Sequence, residues 1–361
     1  MTRALRLYAG PAALEHLRRE GLQPQHVGIV PGAAGGPKGL ILGPLDRWLF
    51  GHWLPQGGHG VHLIGASIGA WRMAAACLHD AVAAFERLQR DYIAQDYELE
   101  PGQRRPSARQ VSAAFARELQ AFFGGRVHEV LHHPRWRVHI VTSRGRHVLA
   151  REGRWRTPLG YAAATLTNLA HRRGLSLWLE RVVFSVPQGG AVAPLPFDAR
   201  DLRTRQVALT PTNFMPALQA SCSIPFVLQA VHDIPGAPPG AYWDGGITDY
   251  HLHLHWRPEH GLVLYPHFQR QVVPGWLDKG LRWRHRASAA LAHTLLLAPD
   301  PDWVRRLPNG KLPDRTDFER YGRDLTARMR AWQTAVQQAQ QLADEFIAWL
   351  QRPDPRLVEP L

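Results

Sequence analysis

HLIGASIGAWRM, residues 62–73, carries an apolar run into a helix-forming run through Gly65-Ala66-Ser67-Ile68-Gly69. VHLIGA reads as a buried strand. IGAWRMAAACLHDA after it is rich in alanine, leucine and methionine and has no internal proline, so the chain passes from strand to helix at Ser67. A strand entering and a helix leaving crowd such a turn, and Gly65 and Gly69, two residues to either side of the serine, relieve the crowding. The helix start also turns free backbone N–H groups and its positive dipole end toward the hydroxyl. That suits an exposed nucleophile. It equally suits a packed turn in a chain with 32 glycines.

The segment upstream repeats the plan. HVGIV, residues 26–30, breaks into PGAAGGPKG, and LILGPLDRWLF after it reads as helical despite its glycine and proline. Two strand-to-helix units side by side predict an α/β fold with a largely parallel sheet. Turns after neighbouring parallel strands meet at one sheet edge, which would set Gly35-Gly36-Pro37-Lys38-Gly39 beside Ser67. The Gly35 and Gly36 amides would then be oxyanion donors, with Lys38 adding positive potential or pinning the loop. A phosphate loop is the poorer reading, because Gly39 stands where a Ser or Thr should follow the lysine and Pro37 removes one donor.

Residues 80–133 read as mostly helical, with a break at Pro101-Gly102 and a glycine pair at Gly124-Gly125, and form a cap or lid inserted between sheet strands. WRVHIVTS, ERVVFS and RQVALT read as further strands, and PALQASCS as a short helix that stops near Pro225. AYWDGGITDY, HLHLHW and GLVLYPHF supply late strands. From Phe318 to Leu350 apolar residues recur every three or four positions, predicting one long amphipathic helix packed on the domain. The tail after Pro353 is expected to be loose. The organisation expected is a catalytic domain over 1–310 and a helical extension over 311–361.

With 361 residues and 45% hydrophobic content the chain can bury a large core. Cys77 and Cys222 cannot make a disulfide framework, and charges interrupt the apolar runs of the first twenty residues, so neither a signal peptide nor a spanning helix is expected. A reduced, cytoplasmic protein follows. Lys plus Arg number 43 against 30 Asp plus Glu, a formal charge of +13. Arg144, Arg146, Arg151, Arg154 and Arg156, then Arg282, Arg284 and Arg286 around Trp283, suit a solvated face or peripheral contact with an anionic membrane. No basic recognition helix, zinc-finger spacing or RNA-binding aromatic signature points to nucleic acid. The oligomeric state is not set by the sequence.

A nucleophilic Ser67 needs a base. A histidine in a loop after a late strand would serve, and His251, His253, His255, His260 and His267 are available. Asp244 competes: it ends a strand reading and is followed by Gly245 and Gly246, which permit close approach. A carboxylate held against the hydroxyl in a partly desolvated site can accept its proton. His251, His253 and His255 would share a strand face but stand roughly 7 Å apart, too far to converge on a zinc ion, so no metal is expected. His52, His59, His62 and His79 read as structural or surface groups.

Gly35-Gly36-Pro37-Lys38-Gly39, Gly65-Ala66-Ser67-Ile68-Gly69, Ala220-Ser221-Cys222-Ser223-Ile224-Pro225-Phe226 and Asp244-Gly245-Gly246, in this order, resemble the four blocks of patatin-like lipid acyl hydrolases. The resemblance covers about residues 24 to 270. It implies a three-layer α/β/α fold around a mainly parallel sheet and a Ser-Asp dyad without a catalytic histidine. Ser67 would be the nucleophile, Asp244 the base, and Gly35-Gly36 the oxyanion loop, with Pro37, Lys38, Gly39, Gly65, Gly69, Gly245 and Gly246 supporting them. Lys38 stands where arginine is commoner. The implied reaction cleaves a carboxylic ester of a lipid through an acyl-serine, with no metal or cofactor.

Two departures bear on loop shape and substrate preference. Ala33-Ala34 replace glycines that usually open the first block, and Asp249-Tyr250-His251-Leu252-His253 stand where an asparagine and a proline commonly follow the last. The alternatives are an α/β-hydrolase esterase with a histidine base, or a non-enzymatic lipid-binding or scaffold protein.

Overall fold

The computed structural model describes residues 3–361 apart from 98, 99, 101, 104, 258 and 260. The predicted break at Pro101 and the candidate His260 therefore lie outside the described residues. Eleven strands form one sheet: Leu5–Ala9 (β1), Val27–Gly32 (β2), Val61–Ala66 (β3), Trp136–Gly145 (β4), Leu179–Ser185 (β5), Thr204–Ala208 (β6), Val231–His232 (β7), Ala241–Asp244 (β8), Leu262–Pro266 (β9), Thr294–Pro299 (β10) and Val358–Pro360 (β11). The main path runs β7-β8-β4-β3-β2-β9-β10-β1-β11, and β5 pairs with β4 and carries β6. From β4 through β3, β2 and β9 to β10 every pairing is parallel. Every residue of β2 and β3 is buried, as a parallel sheet covered on both faces requires.

The helix Ile68–Ala75 leaves β3 and lies against the end of β2. A Cβ on Gly69 would fall 1.9 Å from the Gly32 carbonyl oxygen, so only glycine permits this approach. Arg72 of the helix donates to both carboxylate oxygens of buried Asp46, each at 2.7 Å. Enclosed on all sides, this two-pronged pair fixes the helix against the Gly43–Trp48 helix, and removing one partner would strand a buried charge.

The 80–133 insertion is helical over Ala81–Ile93, Ala108–Phe123 and Val127–Leu131. Asp80 caps its first helix, and Ser107 with Gln110 forms a capping box on its second.

Three local expectations are corrected. The run from Phe318 to Leu350 is three helices rather than one: Thr316–Tyr321, Leu325–Gln338 and Gln340–Gln351. Gly322, at φ 53°, ends the first, Asp324 caps the second through Ala327 N–H at 2.9 Å, and the chain bends at buried Ala339. The tail is not loose. β11 pairs in parallel with β1, Leu361 N–H donates to Ala9 O at 2.9 Å, and a three-residue strand replaces β1 as the sheet edge. In HLHLHW only His255–Trp256 is extended, paired with Phe197–Asp198. Leu252 at φ 47° breaks the run.

Candidate active site

Two strands meet head to head along one edge of β4. β3 runs up to Ala66, opposite Val141, and β8 runs in the other direction down to Asp244, opposite Thr142. The residue after Ala66 and the last residue of β8 are thereby brought together, although 177 positions separate them. Ser67 sits at φ 58°, ψ −131°, at the start of the Ile68–Ala75 helix. A non-glycine residue held there costs on the order of 1–3 kcal/mol, which the surrounding sheet and helix must offset.

Ser67 Oγ donates to Asp244 Oδ2 at 2.7 Å, and Gly246 N–H donates to Asp244 Oδ1 at 2.7 Å. Both residues are nearly enclosed, Ser67 at 4% and Asp244 at 6% exposure. Burial pushes the Asp244 carboxyl above its ordinary range, opposed by the Ser67 hydroxyl, Arg315, Gly246 and Lys279. Ser221 Oγ accepts from Ser67 N–H at 3.0 Å and donates to Val141 O at 2.7 Å, while the Asp244 and Gly245 amides donate to the Ser223 and Ser221 carbonyls. The 220–226 block thus fixes the backbone of both members of the pair. Beyond Gly246, Asp249 receives two bonds from buried Arg181, at 2.7 and 2.6 Å. This bond pair gives the departure at Asp249 a structural use.

Gly36, at φ 57°, opens the turn over Gly36–Leu42, and neither the Gly35 nor the Gly36 amide donates to a protein acceptor among the described residues. Two cavities meet at Ser67. The larger, about 1010 Å³, is bordered by Gly36, Ser67, Trp71, Phe115, Ile224, Phe226 and Phe318, and also by Arg105, Arg323 and Arg328. That volume stands at the upper end of the roughly 300–1,000 Å³ usual for small-molecule sites. The smaller, about 220 Å³, is bordered by Gly35, Lys38, Ser67, Asp244, Tyr250, Trp276, Lys279 and Arg315.

Lys38, Lys279 and Arg315 have no carboxylate partner within ion-pair distance among the described residues. Lys38 lies 5.5 Å from the Phe268 ring and Lys279 4.1 Å from the Tyr250 ring. Burial lowers the Lys38 ammonium, and desolvation by the cavity wall with Arg315 and Lys38 nearby brings Lys279 down to about 8. Three cations thus border one small cavity, which the Asp244 and Asp314 carboxylates also line, and Lys279 is repelled by the other two.

Among the described residues no histidine borders either cavity. His251 is enclosed and accepts the Val273 N–H at 3.0 Å, and His253 reaches Ser288 Oγ at 2.8 Å. Burial holds His253 at about 4 and His267 at about 3. His251, His253 and His255 form no metal cluster among the described residues; the one grouping with ligand spacing is the half-exposed His16, Glu20 and His26. Cys77 and Cys222 are free and buried. No described helix is long and apolar enough to cross a membrane.

Sequence reasoning missed Ser221, Lys279 and Arg315. Ser221 stood in a quoted block without a role. Lys279 and Arg315 carry no local signature, because each reaches the site from a separate late segment.

A family model described as patatin-like phospholipase matches residues 55–251, more than half of the chain. The matched segment holds Ser67, Ser221 and Asp244 and leaves out Gly35-Gly36, Lys279 and Arg315. No curated protein matches the chain. Among solved structures, VipD from Legionella pneumophila is similar at 14% identity with a TM-score of 0.36, over 96% of this chain and 71% of that one, too slight a likeness to argue from.

Proposed function

The chain belongs to the patatin-like phospholipase family, and from that premise we propose that Ser67 is the nucleophile and Asp244 the general base of a lipid acyl hydrolase. The observation that carries the reading is the 2.7 Å bond from Ser67 Oγ to Asp244 Oδ2 at the junction of the two cavities. Asp244 takes the hydroxyl proton as Ser67 Oγ bonds to the ester carbonyl carbon. The oxyanion so formed is received by the Gly35 and Gly36 amides, each donor contributing about 3 kcal/mol to the transition state. The carbonyl re-forms, the ester C–O bond breaks, and the proton on Asp244 passes to the departing alkoxide. Water then repeats the sequence on the acyl-serine, with Asp244 again accepting the proton. Pro37, Lys38, Gly39, Gly65, Gly69, Gly245 and Gly246 shape the two turns and the base.

The two cavities divide the substrate. The acyl chain takes the larger one, against Trp71, Phe115 and Phe318. The leaving side takes the smaller one, where Lys38, Lys279 and Arg315 favour a phosphate-bearing alcohol over a neutral glyceride. Residues 1–310 act as the catalytic domain, with 80–133 walling the acyl cavity, and 311–361 is an extension that completes it. The protein works in the cytoplasm at the periphery of anionic membranes.

Turnover of a short-chain p-nitrophenyl ester tests the dyad. Asp244→Asn should lower kcat by about 10³-fold, whereas His253→Gln should leave most of the activity. The opposite pattern would assign the base to a histidine.

A further inference from the structure

The Arg156–Ala170 helix has its amphipathicity reversed. Its buried side is narrow, formed by Thr157, Gly160, Tyr161, Ala164 and Asn168, while its leucines face outward. Leu159 is 66% exposed, Leu166 69% and Leu169 50%. These three fall on one stripe, filled in by exposed Ala162 and Ala170. A helix bound only to its own domain has no reason to turn its large apolar side chains to water.

The stripe is continuous with other exposed apolar groups. Trp155, 71% exposed, precedes the helix, and Leu177, 57% exposed, follows it. The Trp283 loop, whose indole is 61% exposed, is tied to the helix end by Arg284 donating to Leu169 O at 3.2 Å. From beneath, Tyr161 packs edge-on against Phe226 at 5.9 Å. Phe226 and Val227 are themselves exposed and border the larger cavity that ends at Ser67. Arg154 and Arg156 at the helix start, Arg173 beyond its end, and Arg282 and Arg286 flanking Trp283 are all exposed and without an ion-pair partner among the described residues.

We propose that the Arg156–Ala170 helix, with Trp155 and Trp283, is the surface by which the protein docks on an anionic lipid bilayer, laying the mouth of the acyl cavity against the membrane. The leucines enter the acyl boundary, the indoles settle among the headgroups, and the arginines meet the anionic charge. The proposal rests on the lipid-hydrolase reading for its purpose, but its test does not depend on catalysis.

Co-sedimentation with phosphatidylglycerol–phosphatidylcholine vesicles reads it directly, using full-length Ser67→Ala protein so that hydrolysis does not alter the vesicles. This protein should bind, more weakly as salt rises or phosphatidylglycerol is removed. Leu159→Gln/Leu166→Gln/Leu169→Gln, which keeps good helix formers, should weaken binding at least thirtyfold, on the order of tenfold or less per leucine. Trp283→Ala should weaken it several-fold. In the Ser67 background the triple variant should turn over a soluble p-nitrophenyl ester at the parent rate yet lose vesicle hydrolysis in proportion to binding. Unchanged vesicle binding by the triple variant, absence of binding in the parent, or a parent dimer that the triple variant converts to monomer would each overturn the proposal. Ester turnover retained in Ser67→Ala with vesicle binding intact would sink the enzymatic reading and leave this one standing.

Discussion

The floor of the site and its walls are built in different ways. On the floor, the polar groups that hold Ser67 and Asp244 in place are paired within the protein: Ser221 with the Ser67 amide and Val141, Gly246 with Asp244, Asp244 with the hydroxyl itself. In the walls, Lys38, Lys279 and Arg315 stand without a carboxylate within ion-pair distance among the described residues, and the apolar lining comes from Trp71, the insertion, the 224–228 segment and the C-terminal Phe318. A closed network holds one geometry for chemistry, whereas groups left unpaired await a ligand. The floor is set by sheet register and its Ser67, Ser221, Asp244 and Gly246 lie within the family-matched segment, while the three cations and Phe318 of the walls lie outside it. Changes to the floor should therefore act on kcat, and changes to the walls on KM and substrate choice.

The largest effect that would break this division is at Ser221. Ser221→Ala leaves the Ser67 amide and the Val141 carbonyl without their partner, a loss of about 1–3 kcal/mol. On a soluble ester kcat should fall by roughly 10- to 100-fold with KM little changed; a rise in KM alone would place Ser221 among the walls. Next comes Arg315→Met. It should lower kcat/KM for a phospholipid about tenfold relative to a neutral diglyceride of the same acyl chain, mostly through KM. An unchanged ratio would remove the anion-binding role of the smaller cavity.

The smallest effect is in pH dependence. Asp244 acts as the carboxylate, and burial raises its pKa, so the acid limb of the kcat profile should lie above the usual carboxylate range. The same shift makes the folded state take up a proton more readily than the unfolded chain, so Asp244 subtracts stability as pH rises through the interval between its two pKa values. Asp244→Asn should then melt slightly higher than the parent at neutral pH, read by a thermal scan.

Sequence and structure agree best where the signal is local and strongly patterned. The runs at 26–30 and 61–66 read as buried-strand candidates, and each ends in a glycine turn before a helical stretch, so the parallel core was expected. The Ser67 turn was legible for the same reason. HLHLHW misled because alternation is also what a buried His251 and a half-buried His253 on either side of a left-handed Leu252 look like in one dimension. The C-terminal stripe kept its period across Gly322 and Ala339, so periodicity could not reveal the bends. Arg315 was invisible, since nothing near it in the chain tells that its guanidinium lies within 4 Å of where a Gly36 side chain would begin. The outward leucines of the Arg156–Ala170 helix were hidden because a sequence does not say which face of a leucine-bearing helix is buried.

Fluorophosphonate trapping with peptide mapping tests the central claim most directly. A covalent adduct on Ser67, formed by the parent, lost in Ser67→Ala and slowed strongly in Asp244→Asn, is the predicted result. An adduct on another residue, or labelling of Ser67 at the parent rate in Asp244→Asn, would contradict it.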